Sequence, residues 1–381
     1  TIKKQKAKKY LIFGKGLGSF KLKNNGKLNF GNSGTLARLL IGILSTTKDI
    51  KVKLSGDKSL NKRSMKSLIK LMNKFGASFV PKNKFNFPLK LISSNMPVGI
   101  SYRAGVSAQL KSAVMLAGLN SYGNTLITET ERSRNHTENI LLNNSKVIKI
   151  KDTHKKIITI FGKRYLDPIK IEVPNDPSSA AFFTALTLLN RNSSLKIKNV
   201  GLNPTRIGFY QILKKQGAKI SFKNIKKNNN ELCGDILIKS CKLKPIHASK
   251  SYYTNMTDEY PILFVLAALT RGVSSFKGIG DLTNKESNRV EEMQKILKQI
   301  GIISKFSGNE LKIFGKDKID ASKKTINVPD KGDHRLCMST FVLAMITGAK
   351  TKIKNFETVF TSSPSFLKIM KSLGAKFEIQ K

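Results

Sequence analysis

The alternation of polar and apolar positions recurs along the chain. Five stretches share one design, a short polar cluster followed by an apolar run rich in Ala, Leu, Val and Met. They are Gly31-Asn-Ser-Gly-Thr35 before residues 36–44, Val106-Ser-Ala-Gln109 before 110–119, and Asn175-Asp-Pro-Ser-Ser179 before 180–189. Thr257-Asp-Glu-Tyr260 before 261–269 and Gly332-Asp-His334 before 335–346 complete the set, and the starts fall roughly 70 to 80 residues apart. The clusters are rich in residues that cap helix N-termini, so each predicts a helix start. The runs are apolar nearly all round, which predicts buried helices.

A second helix is expected 30 to 45 residues after most of these. It reads Leu68-Ile-Lys-Leu-Met-Asn-Lys-Phe-Gly76, Ile212-Leu-Lys-Lys-Gln-Gly217, Ile296-Leu-Lys-Gln-Ile-Gly301 and Leu367-Lys-Ile-Met-Lys-Ser-Leu-Gly374. Apolar residues three and four apart face a core, and the closing Gly is a C-cap signal. Alternating segments at residues 196–200, 352–355 and 375–379 read as strands. The predicted unit is strand-helix-strand-strand-helix-strand (βαββαβ), stacked with the apolar helices inside and sheets around them. This is an α/β (α+β) chain. The repeats place a domain boundary after Pro174, giving domains 1–174 and 175–381. If repeats come in threes per domain, five is one short; residue 1 is Thr and residues 2–30 read as the tail of a further repeat, so an N-terminally incomplete first domain is expected.

At 381 residues, two or three domains are expected. The net charge of +45 raises nucleic-acid binding. However, the lysines are spread along the whole chain, with no basic tail and no basic run interleaved with aromatics, so they read as a composition bias. Only eleven of the 69 basic residues are Arg, and each asks for a reason, because Arg alone offers a planar two-pronged donor to phosphate and carboxylate. Cys233, Cys241 and Cys337 fit no zinc or redox spacing and their odd number argues against a disulfide framework, pointing to a reducing compartment. No uninterrupted apolar run approaches the roughly 18 to 20 residues that span a bilayer.

Helix N-termini with free N–H groups suit anions. Arg38, Arg63, Arg134, Arg206, Arg289 and Arg335 lie near the helix starts or in short polar motifs. The densest motif, Asn284-Lys-Glu-Ser-Asn-Arg289, sets an acid between two cations ahead of a helix. There Glu286 is a candidate proton donor tuned by Lys285 and Arg289, against the plainer reading of a surface ion pair. Asp258 opens a buried helix and is a candidate base, with N-capping as the plain alternative. His334 beside Arg335 opens another helix, whereas His154 and His247 read as surface residues. No nucleophile elbow, P-loop or metal-ligand pair appears.

These segments also carry a resemblance. Gly31-Asn-Ser-Gly-Thr-Leu-Ala-Arg38, Gly56-Asp-Lys-Ser-Leu-Asn-Lys-Arg63, Ser107-Ala-Gln-Leu-Lys-Ser-Ala113, Ser133-Arg-Asn-His-Thr-Glu138, Leu202-Asn-Pro-Thr-Arg206, Asp258-Glu-Tyr-Pro261, Lys285-Glu-Ser-Asn-Arg289, Asp333-His-Arg335 and Thr361-Ser-Ser-Pro364 resemble the 5-enolpyruvylshikimate-3-phosphate (EPSP) synthase family, in its class II form. The resemblance covers essentially the whole chain. It implies an inside-out α/β barrel in two domains that close over the substrates. The implied reaction moves the enolpyruvyl group of phosphoenolpyruvate to the 5-hydroxyl of shikimate 3-phosphate and releases phosphate, in the shikimate pathway to chorismate and aromatic amino acids. Neither a metal nor an organic cofactor is implied, and the enzyme is expected to be a cytoplasmic monomer with no nucleic-acid or membrane partner.

By the same resemblance, Arg63, Arg289 and Arg335 clamp phosphoenolpyruvate, with Gly34 beside it and Gln109 shared by both ligands. Ser107, Ala108, Gln109, Ser133 and Arg134 line shikimate 3-phosphate. Asp258 and Lys285 hold its hydroxyls, and Asp258, Glu286 and Lys285 share the proton transfers, with Asp258 assigned as base and Glu286 as donor. Gly34 is the residue expected in members that glyphosate targets. There are departures. The family's first Lys-Ser-x-x-x-Arg motif is expected to precede residue 1, and Lys58-Ser-Leu-Asn-Lys-Arg63 is placed in the second repeat instead. Thr361 or Ser362 stands where some members have Lys, and Asn288 stands where Asp is common. Two other classes compete. One is the UDP-N-acetylglucosamine enolpyruvyl transferases, which usually carry a reactive Cys in the first half, where this chain has none. The other is a basic nucleic-acid-binding protein.

Overall fold

The computed structural model describes residues 1–6, 9–22 and 26–379. The chain divides into two compact units, Thr1–Ile171 and Glu172–Lys381. The expected boundary after Pro174 lies just inside the second.

In the first unit, strands β1 (Ile2–Lys6) and β2 (Lys9–Ile12) form an exposed antiparallel pair. Two four-stranded sheets follow. One has β3 (Lys27–Asn29), β4 (Lys51–Ser55), β5 (Ser78–Val80) and β6 (Leu89–Ile92) in the order β3-β4-β6-β5. The other has β7 (Ser101–Ala104), β8 (Asn124–Glu129), β9 (Ile148–Asp152) and β10 (Lys156–Phe161) in the order β7-β8-β10-β9. In each, the first pair is parallel and the rest antiparallel. The helices are α1 (Gly34–Ser45), α2 (Lys58–Lys62), α3 (Lys66–Lys74), α4 (Ala108–Leu119) and α5 (His136–Leu141).

The second unit repeats the scheme. Its sheets are β11 (Ser194–Gly201), β12 (Ile220–Asn228) and β13 (Glu231–Lys239) in the order β11-β13-β12, and β14 (His247–Ala248), β15 (Gly272–Lys277), β16 (Ile303–Ser307) and β17 (Glu310–Gly315) in the order β14-β15-β17-β16. A parallel pair, β18 (Thr325–Val328) and β19 (Lys350–Ile353), completes them. The helices are α6 (Pro177–Leu189), α7 (Gly208–Lys215), α8 (Tyr260–Ala268), α9 (Arg289–Gln299), α10 (His334–Thr347) and α11 (Phe366–Ser372).

The α/β class with buried central helices and surrounding sheets matches the sequence reading, but two details differ. The complete units run strand-helix-strand-helix-strand-strand, not βαββαβ: β4 and β5 both run antiparallel to β6, as β8 and β9 do to β10, so the second and third strands of each unit are parallel to each other and need a crossover helix between them, which places that helix before the closing hairpin. The sheets are also open, and no closed barrel is present among the described residues. The Gly that ends each amphipathic helix sits in the left-handed region, with φ of +90° at Gly76, +89° at Gly217, +82° at Gly301 and +93° at Gly374. Residues 375–379 form no strand.

Burial of the central helices is graded. Every residue of α8 is buried; the helix packs against α6 and α10, and its Phe264 ring meets that of Phe276 on β15 at 5.0 Å between centroids. Each such ring contributes about 1.5–3 kcal/mol by leaving water. Helix α1 departs from the all-round expectation. Leu36 is 50% exposed, and in the first unit α1 packs chiefly against α4, with α3 beside it. That packing is close: a Cβ on Gly42 would lie 2.6 Å from the Ala113 carbonyl oxygen.

Candidate active site

In the second unit the three central helices bring their N-termini together. Asp176 caps α6 by accepting from the Ser178 and Ser179 amides, and Pro177 occupies the first turn, where its missing N–H costs nothing. Asp333 caps α10, accepting from the Arg335 amide at 2.9 Å. Helix α8 differs from expectation. Its N-cap position is Glu259, which makes no side-chain cap; buried, it accepts from the Ser178 hydroxyl of α6. Asp258 therefore stands one residue ahead of the cap, and its carboxylate faces the Arg206 and Arg289 guanidinium groups.

Two arginines stitch these ends together. Arg206, from the turn between β11 and α7, donates to Asp176 at 3.0 Å and to Ser178 at 2.8 Å, and lies 3.5 Å from Asp258. Arg289, the first residue of α9, is 1% exposed. Its Nε donates to Asp333 at 2.9 Å, its Nη2 to Glu286 at 2.6 Å, and its Nη1 lies 3.6 Å from Asp258. The result is an alternating chain of charges, Asp176–Arg206–Asp258–Arg289 with Asp333 and Glu286 beyond. Arg335 lies 5.8 Å over the Phe182 ring, and its Nε and Nη1 are buried without a hydrogen-bond partner among the described residues.

These surroundings set the protonation states. Burial pushes Asp333 up, but the Arg289 charge and hydrogen bond outweigh it and hold the carboxyl below the usual range. Asp176 is likewise held down against burial by Arg206 and Arg335. Arg289 is raised despite burial, by Asp333, Glu286 and Asp258. His334 is lowered to about 4 by burial and by Arg335, and is neutral at pH 7. Lys285 has a partner that the sequence reading did not name. Its Nζ donates to Asp281 at 2.5 Å and lies 5.8 Å over the Tyr253 ring, while the Tyr253 hydroxyl donates to the same Asp281. Asp281, its i,i+4 partner in the preceding 3-10 turn, Gly280–Asn284, captures the lysine, while Arg289 reaches Glu286.

In the first unit, Ser33 caps α1 and Ser107 caps α4. Gln109 bridges the two helices, accepting from Arg38 at 2.7 Å and donating to Thr35 at 2.7 Å. Arg63, which ends α2, donates to Asn32 at 2.9 Å, and a Cβ on Gly34 would lie 2.8 Å from the Arg38 guanidinium and 3.3 Å from that of Arg63. Gly34, Arg63 and Gln109 thus share one cluster at the α1 N-terminus. Ser107 and Ala108 open α4 beside it. Ser133 is 2% exposed, and both its amide and its hydroxyl donate to Glu129 at 2.8 Å; Arg134 follows it in the same loop.

The structure therefore groups Asp258, Glu286, Arg289 and Arg335 within the second unit, with Lys285 to one side. It groups Gly34, Arg63, Gln109, Ser107 and Ala108 in the first, with Ser133 and Arg134 on a separate loop. Sequence reasoning gave no role to Glu259, Asp281 or the buried Lys111, and it read Asp176 and Asp333 only as part of capping clusters and Arg206 only as an arginine in a short polar motif. For Arg206 the scarcity of arginine was a usable signal; for the acids no local pattern distinguished capping from ion pairing. Among the described residues no group of three or more His, Cys, Asp or Glu side chains is placed to hold a metal, and no helix is long and apolar enough to cross a membrane.

Comparison with known proteins reaches the same chemistry. The family described as EPSP synthase (3-phosphoshikimate 1-carboxyvinyltransferase) matches residues 1–370. A 3-phosphoshikimate 1-carboxyvinyltransferase of Paramagnetospirillum magneticum is 36% identical over 368 residues, 96% of this chain and 82% of the relative. One of Thermodesulfovibrio yellowstonii is 37% identical over 369 residues, 96% of this chain and 84% of its own length. Among solved structures, the EPSP synthase of Acinetobacter baumannii is similar with a TM-score of 0.83 and 33% identity, covering 100% of this chain and 86% of that one. The enolpyruvyl transferase NikO of Streptomyces tendae shares the fold, with a TM-score of 0.67 at 13% identity, covering 90% of this chain and 76% of that one.

Proposed function

The chain belongs to the EPSP synthase family, and from that premise we propose how its residues serve the transfer of the enolpyruvyl group from phosphoenolpyruvate to the 5-hydroxyl of shikimate 3-phosphate. Arg63, Arg289 and Arg335 hold the phosphate and carboxylate of phosphoenolpyruvate, with Gly34 giving its backbone close approach. Ser107, Ala108, Gln109, Ser133 and Arg134 hold shikimate 3-phosphate, and Asp258 and Lys285 hold its hydroxyls. Asp258 takes the proton of the attacking 5-hydroxyl, while Glu286 gives one to the methylene carbon. The tetrahedral adduct then expels phosphate as one proton of its new methyl group returns to the Glu286 carboxylate, which restores the enol ether.

The observation that carries this reading is Arg289: a fully buried guanidinium with Asp258 on one terminal nitrogen and Glu286 on the other. An anion that competes for the Nη2 side loosens the hold of Arg289 on Glu286, while Asp258 keeps Arg206 as well. The protein works as a cytoplasmic monomer without metal or organic cofactor. Glu286→Gln tests the assignment: phosphate release slows by about 10²–10⁴ with the KM for phosphoenolpyruvate little changed. A variant with unaltered kcat would remove Glu286 from the chemistry.

A further inference from the structure

The first unit contains a charge cluster that the transfer chemistry does not use. Lys111 lies one turn inside α4 and is completely buried, with Nζ 2.6 Å from Glu129 and 2.7 Å from Glu138. The register of the β8–β10 pair explains its partners. Inward positions alternate along β8 at Thr125, Ile127 and Glu129, and Lys156 sits directly opposite Glu129. Lys156 lies 3.4 Å from Glu129 and 3.3 Å from Glu138, so two lysines and two carboxylates balance. Four elements meet there: α4, the end of β8, α5 and β10.

Burying four charges is a poor way to gain stability, because desolvation consumes most of the attraction. The arrangement does fix geometry. The Glu129 oxygen that faces Lys111 is also the acceptor of both the Ser133 amide and the Ser133 hydroxyl. The carboxylate stays ionised: burial raises its pKa, but Lys111 and Ser133 lower it by more. On the same stretch of α4, Ser112 bonds Thr137 at 2.7 Å, a second tie between α4 and the loop's far end.

We propose that Lys111 is a positioning residue for shikimate 3-phosphate, acting through Glu129 to lock the Ser133–Arg134 loop in register with Gln109, two residues earlier on α4. This rests on the reading above that Ser133, Arg134 and Gln109 contact that substrate. Lysine suits the task because its ammonium offers three donors to two carboxylates from the end of a long apolar stem.

The test compares steady-state phosphate release in three variants of the whole protein. Lys111→Met leaves two buried carboxylates to one lysine and is vulnerable to misfolding, so Lys111→Met combined with Glu138→Gln is the decisive variant, because it keeps the Lys156–Glu129 pair and the charge balance. The expected result for the double variant is a KM for shikimate 3-phosphate raised about tenfold, with kcat and the KM for phosphoenolpyruvate changed less than about twofold. A purely structural role would lower the active fraction and leave both KM values alone, and that result overturns the proposal. Arg134→Met separates the two levels of inference. If it raises the KM for shikimate 3-phosphate while the double variant does not, Lys111 is not a positioning residue and the substrate reading stands. If Arg134→Met also leaves that KM unchanged, the substrate assignment of the loop fails and the proposal falls with it.

Discussion

At the residue scale, the scarce arginines proved the most informative letters in the sequence. In a chain that writes Lys at most basic positions, Arg206, Arg289 and Arg335 all fall at or near the central helix starts of one unit, and the first two each face several carboxylates. A lysine could not replace Arg289, whose Nε and Nη atoms engage different acids. Arg289→Lys is expected to lower stability by about 1.5–3 kcal/mol for each charged hydrogen bond lost, read from urea unfolding, and to reduce kcat.

His334 gives a pH signature. Its folded pKa, about 4, lies below the ordinary value near 6.5. Between those values the unfolded chain binds a proton that the folded chain refuses, so stability falls as the pH drops from about 6.5 toward 4. The Tm of His334→Asn should decline less steeply over this window than that of the parent. Equal slopes would show that His334 does not carry the effect. What the sequence concealed at this scale was pairing: Lys285 stands next to Glu286 in the chain, yet its partner is Asp281, because an i,i+4 spacing brings side chains together and an i,i+1 spacing does not.

At the scale of elements, helix starts were legible because capping chemistry is local. Ser33, Ser107, Asp176, Asn288 and Asp333 cap as their residue types predict. Glu259 does not: its side chain is drawn to Ser178 of another helix, a contact no local rule contains. Strand order failed for a related reason. Alternation identifies a strand, but whether the amphipathic helix precedes or follows a hairpin depends on which pair is parallel. The α1–α4 contact offers a test of how closely two central helices must meet. Gly42→Ala should destabilise by about 1–3 kcal/mol, since its Cβ meets backbone that cannot swing away, and circular dichroism melts would register it. A neutral result would mean that the helices separate at little cost.

At the scale of the whole molecule, the net charge of +45 is its most conspicuous number and the least informative about activity. Lysine scattered along the whole chain gives a general field, whereas the proposed chemistry rests on a few guanidinium and carboxylate groups at helix N-termini. The inside-out plan was readable because five all-apolar helices can only lie inside. The grading between α8, wholly buried, and α1, half exposed at Leu36, was not, since it depends on how many central helices surround each one. The central claim is that these groups transfer enolpyruvyl from phosphoenolpyruvate to a phosphorylated shikimate. Its most direct measurement is inorganic phosphate released from phosphoenolpyruvate at neutral pH, with each acceptor supplied in turn. The account predicts saturable release with shikimate 3-phosphate, and none with UDP-N-acetylglucosamine or with phosphoenolpyruvate alone. Release that depends on UDP-N-acetylglucosamine and ignores shikimate 3-phosphate would contradict it.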